Sequence, residues 1–205
     1  MTYAVPPAPT ESLDVGDQTR AELYLLLGNL LASPPSAEVL GLLAGSPGDD
    51  QPAEGELRVA LQALRGAAKN AIPTQVEEEF FNLFIGLGRG ELAPYASWYL
   101  TGYLMEQPLA ALRSELKRLG YERQEDIAEP EDHAAALCEV MGMIVSESVL
   151  SFNEQQAFFE TFLKSWLGRF FTDLTLAETA DFYKAVGNLG RCFLEIEDRY
   201  FSMPV

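Results

Sequence analysis

The adjacent residues Asp132 and His133 have side chains that could do chemistry, and they end the sequence Glu-Pro-Glu-Asp-His at positions 129–133. A carboxylate can pair with a guanidinium through a charge-assisted contact that can be bidentate. A histidine can donate or accept a hydrogen bond, and its charge can respond to pH. In the structural alternative, Asp132 complements the dipole of a helix N-terminus and His133 is a partly exposed residue of the first turn. The sequence leaves both interpretations open.

Catalysis and metal binding have few other candidate residues. His133 is the only histidine, and the two cysteines, Cys138 and Cys192, are far apart in the sequence. A structural zinc site is therefore not expected, and Ser–His–Asp chemistry could use only His133. The glycine run at 86–90 follows a predicted helix and does not match the dinucleotide-binding fingerprint. We expect the cysteines to be buried thiols in a reducing compartment, although a disulfide between them stays open.

The second candidate region is the aromatic stretch 77–99, which contains three alternating glycines. The spacing of its apolar residues predicts a helix over 73–85, which the glycines and Pro94 then interrupt. An aromatic helix end, a glycine loop and an aromatic re-entry can together build a binding groove. A helical stripe of aromatic residues is also typical of a core, so groove and core stay alternatives.

The elements that must position these residues are predicted to be helices. Leucine far outnumbers the β-branched residues valine and isoleucine, and no run shows the alternation of a strand. Four capping-box patterns predict helix starts, at Thr19, Thr74, Asn153 and Thr175. We therefore predict an all-α fold, a single globular bundle of about nine or ten helices. Residues 19–205 form this domain, and residues 1–18 form a disordered tail.

The chain is strongly acidic. Its 205 residues include 31 acidic and 14 basic side chains, for a formal net charge of −17. Nucleic acids and anionic membrane surfaces require basic patches, so neither is an expected partner. The charge fits a cationic partner such as an arginine-bearing peptide, or it could serve solubility alone. The sequence shows no secretory signal and no apolar run of membrane-spanning length, which predicts a cytoplasmic protein.

Together these motifs resemble the TorD/DmsD/NarJ family of cytoplasmic molybdoenzyme chaperones, also called redox enzyme maturation proteins. The resemblance rests on Phe-Phe-Asn-Leu-Phe-Ile-Gly and Pro-Tyr-Ala-Ser-Trp-Tyr within 80–99, on Glu-Pro-Glu-Asp-His at 129–133, and on Trp-x-x-x-Phe at 166–170. In order and spacing it covers most of the chain between residues 20 and 170. It implies a TorD-like fold and a binding protein without catalysis.

The resemblance also implies a function. It indicates a system-specific chaperone that binds the twin-arginine leader and the apoprotein of a molybdopterin oxidoreductase, and holds it for cofactor insertion before export or assembly. The implied leader-binding residues are Leu83, Phe84, Pro94, Tyr95 and Trp98 for apolar contacts, and Asp132 and His133 for polar contacts. No resident cofactor is implied, although some relatives bind guanine nucleotide weakly. The protein would be a monomer or a domain-swapped dimer, and its molybdoenzyme client stays open.

One position departs from the family pattern. Many relatives carry a histidine in the pattern Phe-Phe-x-x-His-Leu, where this chain has Phe162. We therefore expect Phe162 to be a core residue. Two other functions stay open: a helical scaffold whose aromatic residues are purely structural, and, with less support, a hydrolase that uses Asp132 and His133 as a dyad.

Overall fold

Ten α-helices make up most of the part of the chain that the structure describes. In this computed structural model the described residues are 3–4, 15–45, 55–87, 89–123, 129–148 and 150–203. The helices are α1 Val15–Ala32, α2 Ala37–Gly45, α3 Glu56–Asn70, α4 Pro73–Phe80, α5 Ala96–Thr101, α6 Gln107–Leu119, α7 Ala134–Ser146, α8 Phe152–Phe159, α9 Leu167–Leu176 and α10 Phe182–Phe201. π-Helical turns follow α4 at Phe81–Ile85 and α8 at Glu160–Lys164. The predicted all-α fold is confirmed.

One short strand pair accompanies the helices. β1, Tyr3–Ala4, pairs antiparallel with β2, Glu122–Arg123. The sequence predicts a disordered tail over 1–18, and the structure differs from that prediction at β1 and at the start of α1. This helix begins at Val15 rather than at Thr19, whose hydroxyl donates to the Val15 carbonyl at 3.0 Å inside the helix. The remainder of the predicted tail lies outside the described residues.

Contacts between Cα atoms group the chain into two compact units, each built from two separate segments. Unit 1 combines Met1–Ala32 with Pro94–Leu167, and unit 2 combines Ser33–Ala93 with Gly168–Val205. Because neither unit is one continuous stretch of chain, no single linker in the sequence marks the division.

In unit 1, α1 and α7 pack against each other. Every residue of α7 from Ala134 to Val145 is buried except Glu139, so this helix is apolar on nearly all sides and lies in the core. Trp166 is fully buried in the same unit, and its indole Nε1–H donates to the Phe162 carbonyl at 2.8 Å. Among the described helices, none combines the length and apolar character needed to cross a membrane.

In unit 2, α10 packs on α3 and α4. The N-terminus of α10 is capped by the buried carboxylate of Glu79 in α4. This carboxylate accepts hydrogen bonds at 2.7, 3.1 and 2.7 Å from three consecutive backbone N–H groups, those of Asp181, Phe182 and Tyr183. The sequence predicts the last helix to start with a capping box at Thr175, and this is wrong. Thr175 lies within α9, where its hydroxyl donates to the Thr172 carbonyl at 2.7 Å.

Both cysteines are buried free thiols. The disulfide that the sequence left open therefore does not form in this structure. Burial raises the pKa of the Cys138 thiol to about 12, which keeps it protonated at neutral pH. Cys138 thus packs as a small apolar side chain, as the sequence predicts.

Gly190 of α10 lies against the fully buried ring of Phe171. A Cβ atom at this position would overlap three atoms of that ring. Because the buried ring or the backbone of α10 would have to shift, Gly190→Ala is expected to lower the free energy of unfolding by about 1–3 kcal/mol. Urea denaturation measures the change. Gly168→Ala in α9 is the matched control, since a Cβ there meets nothing within 4 Å, and equal stability of the two variants would contradict the prediction.

Candidate functional site

The segment 129–133 lies before α7 rather than in it. α7 begins at Ala134, so the alternative that places His133 in the first turn of this helix is wrong. The backbone N–H of His133 donates to the Pro130 carbonyl at 3.2 Å, and His133 forms an isolated antiparallel bridge with Tyr95. His133 has an extended backbone, with φ −66° and ψ 140°, so it lies before α7 and the helix cannot begin earlier.

Each ionisable side chain of this segment forms a hydrogen bond or an ion pair with a residue of unit 1. Glu129 accepts a hydrogen bond from the Tyr95 hydroxyl at 2.5 Å. Glu131 pairs with Arg113 of α6 at 2.8 Å. Asp132 and His133 each bind a helix N-terminus, as described below. The segment is thus held in place by several elements that are distant in sequence.

Asp132 is a buried carboxylate, only 1% exposed. Its Oδ2 accepts a hydrogen bond from the Ser97 backbone N–H at 2.8 Å, and its main-chain carbonyl accepts from the Ala96 N–H at 2.9 Å. These are the first two N–H groups of α5, so Asp132 caps that helix. Its other oxygen, Oδ1, is buried and has no hydrogen-bond partner among the described residues. A buried acceptor left in this state is unfavourable, so a donor arriving from a ligand would be stabilised there.

Asp132 lines a pocket in unit 1, called here the Asp132 pocket, with a volume of about 270 Å³. Its other walls are mainly apolar: Ala96, Leu100, Pro108, Ala111, Leu112, Leu137 and Phe162. One carboxylate among apolar walls suits a side chain with an apolar stem and a cationic tip. Among the described residues, no group of three or more His, Cys, Asp and Glu side chains could hold a metal ion.

Phe162 is half-buried and lines the Asp132 pocket, so the expectation that it is a core residue is wrong. It lies in the π-helical turn Glu160–Lys164. A π-helical turn inserts an extra residue and so changes which side chains face inwards, and such turns are frequent at functional sites. The Phe162 ring packs against Phe158, with ring centroids 5.0 Å apart.

His133 is buried rather than partly exposed. Its Nδ1 accepts a hydrogen bond from the Ala135 N–H at 3.1 Å and so caps α7, and its ring packs edge-on to Tyr95. Burial lowers the pKa of His133 to about 4, although Glu129 and Asp132 act in the opposite direction. The imidazole is therefore neutral at neutral pH, and a switch in that range is not expected of it.

Three further predicted site residues lie in unit 1 with Asp132 and His133. The Pro94 carbonyl accepts the Ala134 N–H at 2.8 Å, which places Pro94 beside the start of α7. Tyr95 is half-buried, and burial together with its bond to Glu129 raises the pKa of its phenol above the usual value. Trp98 is a half-buried residue of α5.

The two other predicted site residues, Leu83 and Phe84, lie in unit 2. Leu83 is fully buried, and Phe84 packs against the rings of Phe80, Phe170 and Tyr183. For these two residues the structure agrees with the core alternative. Their contact with a peptide stays a prediction.

The glycine loop breaks the helix as the sequence predicts. Gly86 ends the π-helical turn with φ 59°, in the left-handed region that favours glycine. The chain then turns back, and the Leu92 N–H donates to the Leu83 carbonyl at 2.8 Å. Gly88 lies outside the described residues.

The sequence alone did not identify Ser97 as a partner of Asp132, although Ser97 belongs to the Pro-Tyr-Ala-Ser-Trp-Tyr motif.

The chain is similar in sequence to one protein family and to several chaperones. The profile of the nitrate reductase delta subunit family matches residues 50–172, more than half of the chain. The chain is 26% identical to the chaperone protein TorD of Vibrio atlanticus, covering 91% of this chain and 96% of that protein. It is 24% identical to the chaperone protein TorD of Shewanella pealeana, covering 88% of this chain and 89% of that protein.

A solved structure shares the fold. The crystal structure from Archaeoglobus fulgidus that is assigned to a redox enzyme maturation protein superimposes with a TM-score of 0.60 at 20% sequence identity. The match covers 91% of this chain and 98% of that one. Together with the family profile, this confirms the resemblance that the sequence motifs indicate, and the chain belongs to the nitrate reductase delta subunit family, the group of the TorD and NarJ chaperones.

Proposed function

We propose that this protein is a system-specific chaperone of a molybdopterin oxidoreductase. It binds the twin-arginine leader and the apoprotein of that enzyme in the cytoplasm, and holds them for cofactor insertion before export or assembly. The family membership and the relatives named as TorD chaperones support the chaperone role. The site described above supports the leader-binding role.

One observation carries the leader-binding role: the buried carboxylate of Asp132 lines an apolar pocket with its Oδ1 unpartnered among the described residues. An arginine side chain would place its methylene stem against the apolar walls and its guanidinium donors at Oδ1. A hydrogen bond to a charged group in a desolvated site contributes about 1.5–3 kcal/mol. The formal net charge of −17 would also attract the basic end of the leader over a longer range.

The same geometry disfavours a hydrolase that uses Asp132 and His133 as a dyad. The Nδ1 of His133 is occupied by the Ala135 N–H, and the Oδ2 of Asp132 by the Ser97 N–H. A histidine with a pKa near 4 is a weak base at neutral pH. We therefore propose binding without catalysis and without a resident cofactor. Weak binding of guanine nucleotide stays a prediction from the family resemblance.

Calorimetric titration with a synthetic twin-arginine leader tests this function. The leader comes from the molybdoenzyme encoded nearest to this gene, and a second peptide carries lysine at both arginine positions. We expect saturable binding of the arginine peptide with a free energy of about 8 kcal/mol, which corresponds to micromolar affinity, and much weaker binding of the lysine peptide. Absence of binding to either peptide would contradict the leader-binding role.

Asp132→Asn is expected to weaken leader binding by about 1–3 kcal/mol, or roughly 5-fold to 150-fold. Asparagine keeps an acceptor for the Ser97 N–H, so α5 stays capped and the fold should survive. Glu78→Gln is the matched control, because it removes one charge from an exposed residue of α4, in the other unit. Unchanged affinity in Asp132→Asn would remove the assigned role. Loss of thermal stability together with binding would favour the structural scaffold.

A further inference from the structure

Four apolar side chains are exposed where α5 ends and the chain passes to α6. Leu100, Tyr103, Leu104 and Met105 are 44%, 70%, 49% and 72% exposed, and together they are called here the apolar ledge. Exposed apolar residues scattered singly need no explanation, whereas a contiguous group marks a binding surface or an aggregation hazard. These four exposed side chains lie within six consecutive positions of the chain, 100–105, rather than being scattered singly.

The apolar ledge is continuous with the Asp132 pocket. Leu100 at the start of the segment lines that pocket, and so do Gln107 and Pro108, which follow its end. The segment therefore leaves one wall of the pocket and returns to it. A ligand that placed a side chain at Asp132 would lie beside Leu100, the first residue of the apolar ledge.

The backbone of the apolar ledge is held in a defined shape. Gly102 has φ 82°, and Met105 has φ 60°, a left-handed conformation that is rare for a residue other than glycine. The Thr101 hydroxyl donates to the Ser97 carbonyl at 2.8 Å and accepts from the Tyr103 N–H at 3.2 Å. Ser97 in turn binds Asp132, so the shape of the ledge and the position of the carboxylate are coupled through two hydrogen-bonded residues.

We propose that the apolar ledge binds the apolar stretch of the same peptide whose basic side chain pairs with Asp132. The inference rests on the proposed function and deepens it, because it assigns the apolar half of the ligand to residues outside the motifs. Charge complementarity fixes the orientation: the cationic part enters the pocket and the apolar part covers the ledge. The flexible, unbranched side chain of Met105 can adapt to different apolar sequences.

The test is titration of the double variant Leu104→Gln, Met105→Gln with the twin-arginine leader. Because the peptide would bury these two exposed apolar side chains, we expect the double variant to bind it about 10-fold more weakly or worse. Both side chains are largely exposed, so thermal unfolding should be unchanged. Leu42→Gln on α2, where Leu42 is 68% exposed, is the matched control and should bind as the wild type does.

A second peptide separates the ledge from the pocket. It keeps both arginines and carries serine in place of the apolar stretch. If the ledge binds that stretch, the wild type should bind this peptide more weakly, and the double variant should then lose nothing further. A wild type that binds the leader, with weakened Asp132→Asn and an unaffected double variant, would overturn the ledge and leave the proposed function standing. Failure of the wild type to bind the leader would overturn both.

Discussion

Glu79→Ala is expected to lower the free energy of unfolding by about 3–5 kcal/mol, because the buried carboxylate binds three backbone N–H groups at the start of α10. The first N–H groups of a helix have no partner within the helix, so removal of the carboxylate leaves them unsatisfied. The positive end of the α10 dipole also loses its countercharge. Urea denaturation followed by circular dichroism measures the loss.

Glu78→Ala is the matched control for this prediction. Glu78 precedes Glu79 in α4, and its side chain is exposed. The control removes the same charge from the same helix, so it reports any general effect of the lower acidity of the chain. A stability of Glu79→Ala within about 0.5 kcal/mol of the Glu78→Ala value, the scale of an ordinary surface substitution, would show that the cap contributes little.

The all-helical fold could be predicted because local signals and apolar spacing agree over long stretches. α6 shows this best. The sequence predicts Pro108 at its first position, Gly120 at its end, and an apolar face of Leu109, Leu112, Leu116 and Leu119. In the structure Pro108 is the second residue, Gly120 ends the helix with φ 82°, and the first three of these leucines are buried. Here each signal acts within the helix itself, so no distant contact is needed to interpret it.

The helix starts could not be predicted in the same way. Thr74 follows Pro73 inside α4, and no side chain caps that helix, so its capping box is wrong. The capping box of α8 is formed by Ser151 and Glu154, two residues before the predicted start at Asn153. α10 is capped by Glu79, which is about a hundred residues away in sequence. A capping pattern in the sequence shows which residues can cap, and tertiary contacts decide which ones do.

The candidate site was predictable only in part, because its contacts, like the helix caps, depend on residues that are distant in sequence. Asp132 and His133 were recognised from their residue types, but one of the two interpretations that the sequence left open placed His133 in the first turn of a helix. Their real partners are the N–H groups of Ser97 and Ala135, and the Ser97 contact joins two segments 35 residues apart. The pocket wall adds Phe162 from a π-helical turn, an element that has no clear sequence signal. Residue chemistry is local, whereas the geometry of a pocket depends on the whole unit.

The stability of the protein should fall as the pH decreases from about 6.5 to about 4, in part because of His133. Burial holds the pKa of His133 near 4 in the folded state, whereas the unfolded chain binds the proton near pH 6.5. Between these values the unfolded state binds more protons, so the free energy of unfolding decreases as the pH falls. The full effect is about 3 kcal/mol, complete once the pH reaches the folded-state pKa.

His133→Asn isolates this contribution from that of the carboxyl groups. Asparagine can accept the Ala135 N–H as a helix cap, but it does not titrate. Glu129 and Asp132 are present in both proteins, so their titration largely cancels in the difference between the two stabilities. Urea denaturation at a series of pH values should show this difference shifting by about 3 kcal/mol in favour of the variant between pH 7 and pH 4. A constant difference would mean that the folded protein takes up the proton as readily as the unfolded chain, so that His133 is not held neutral by burial.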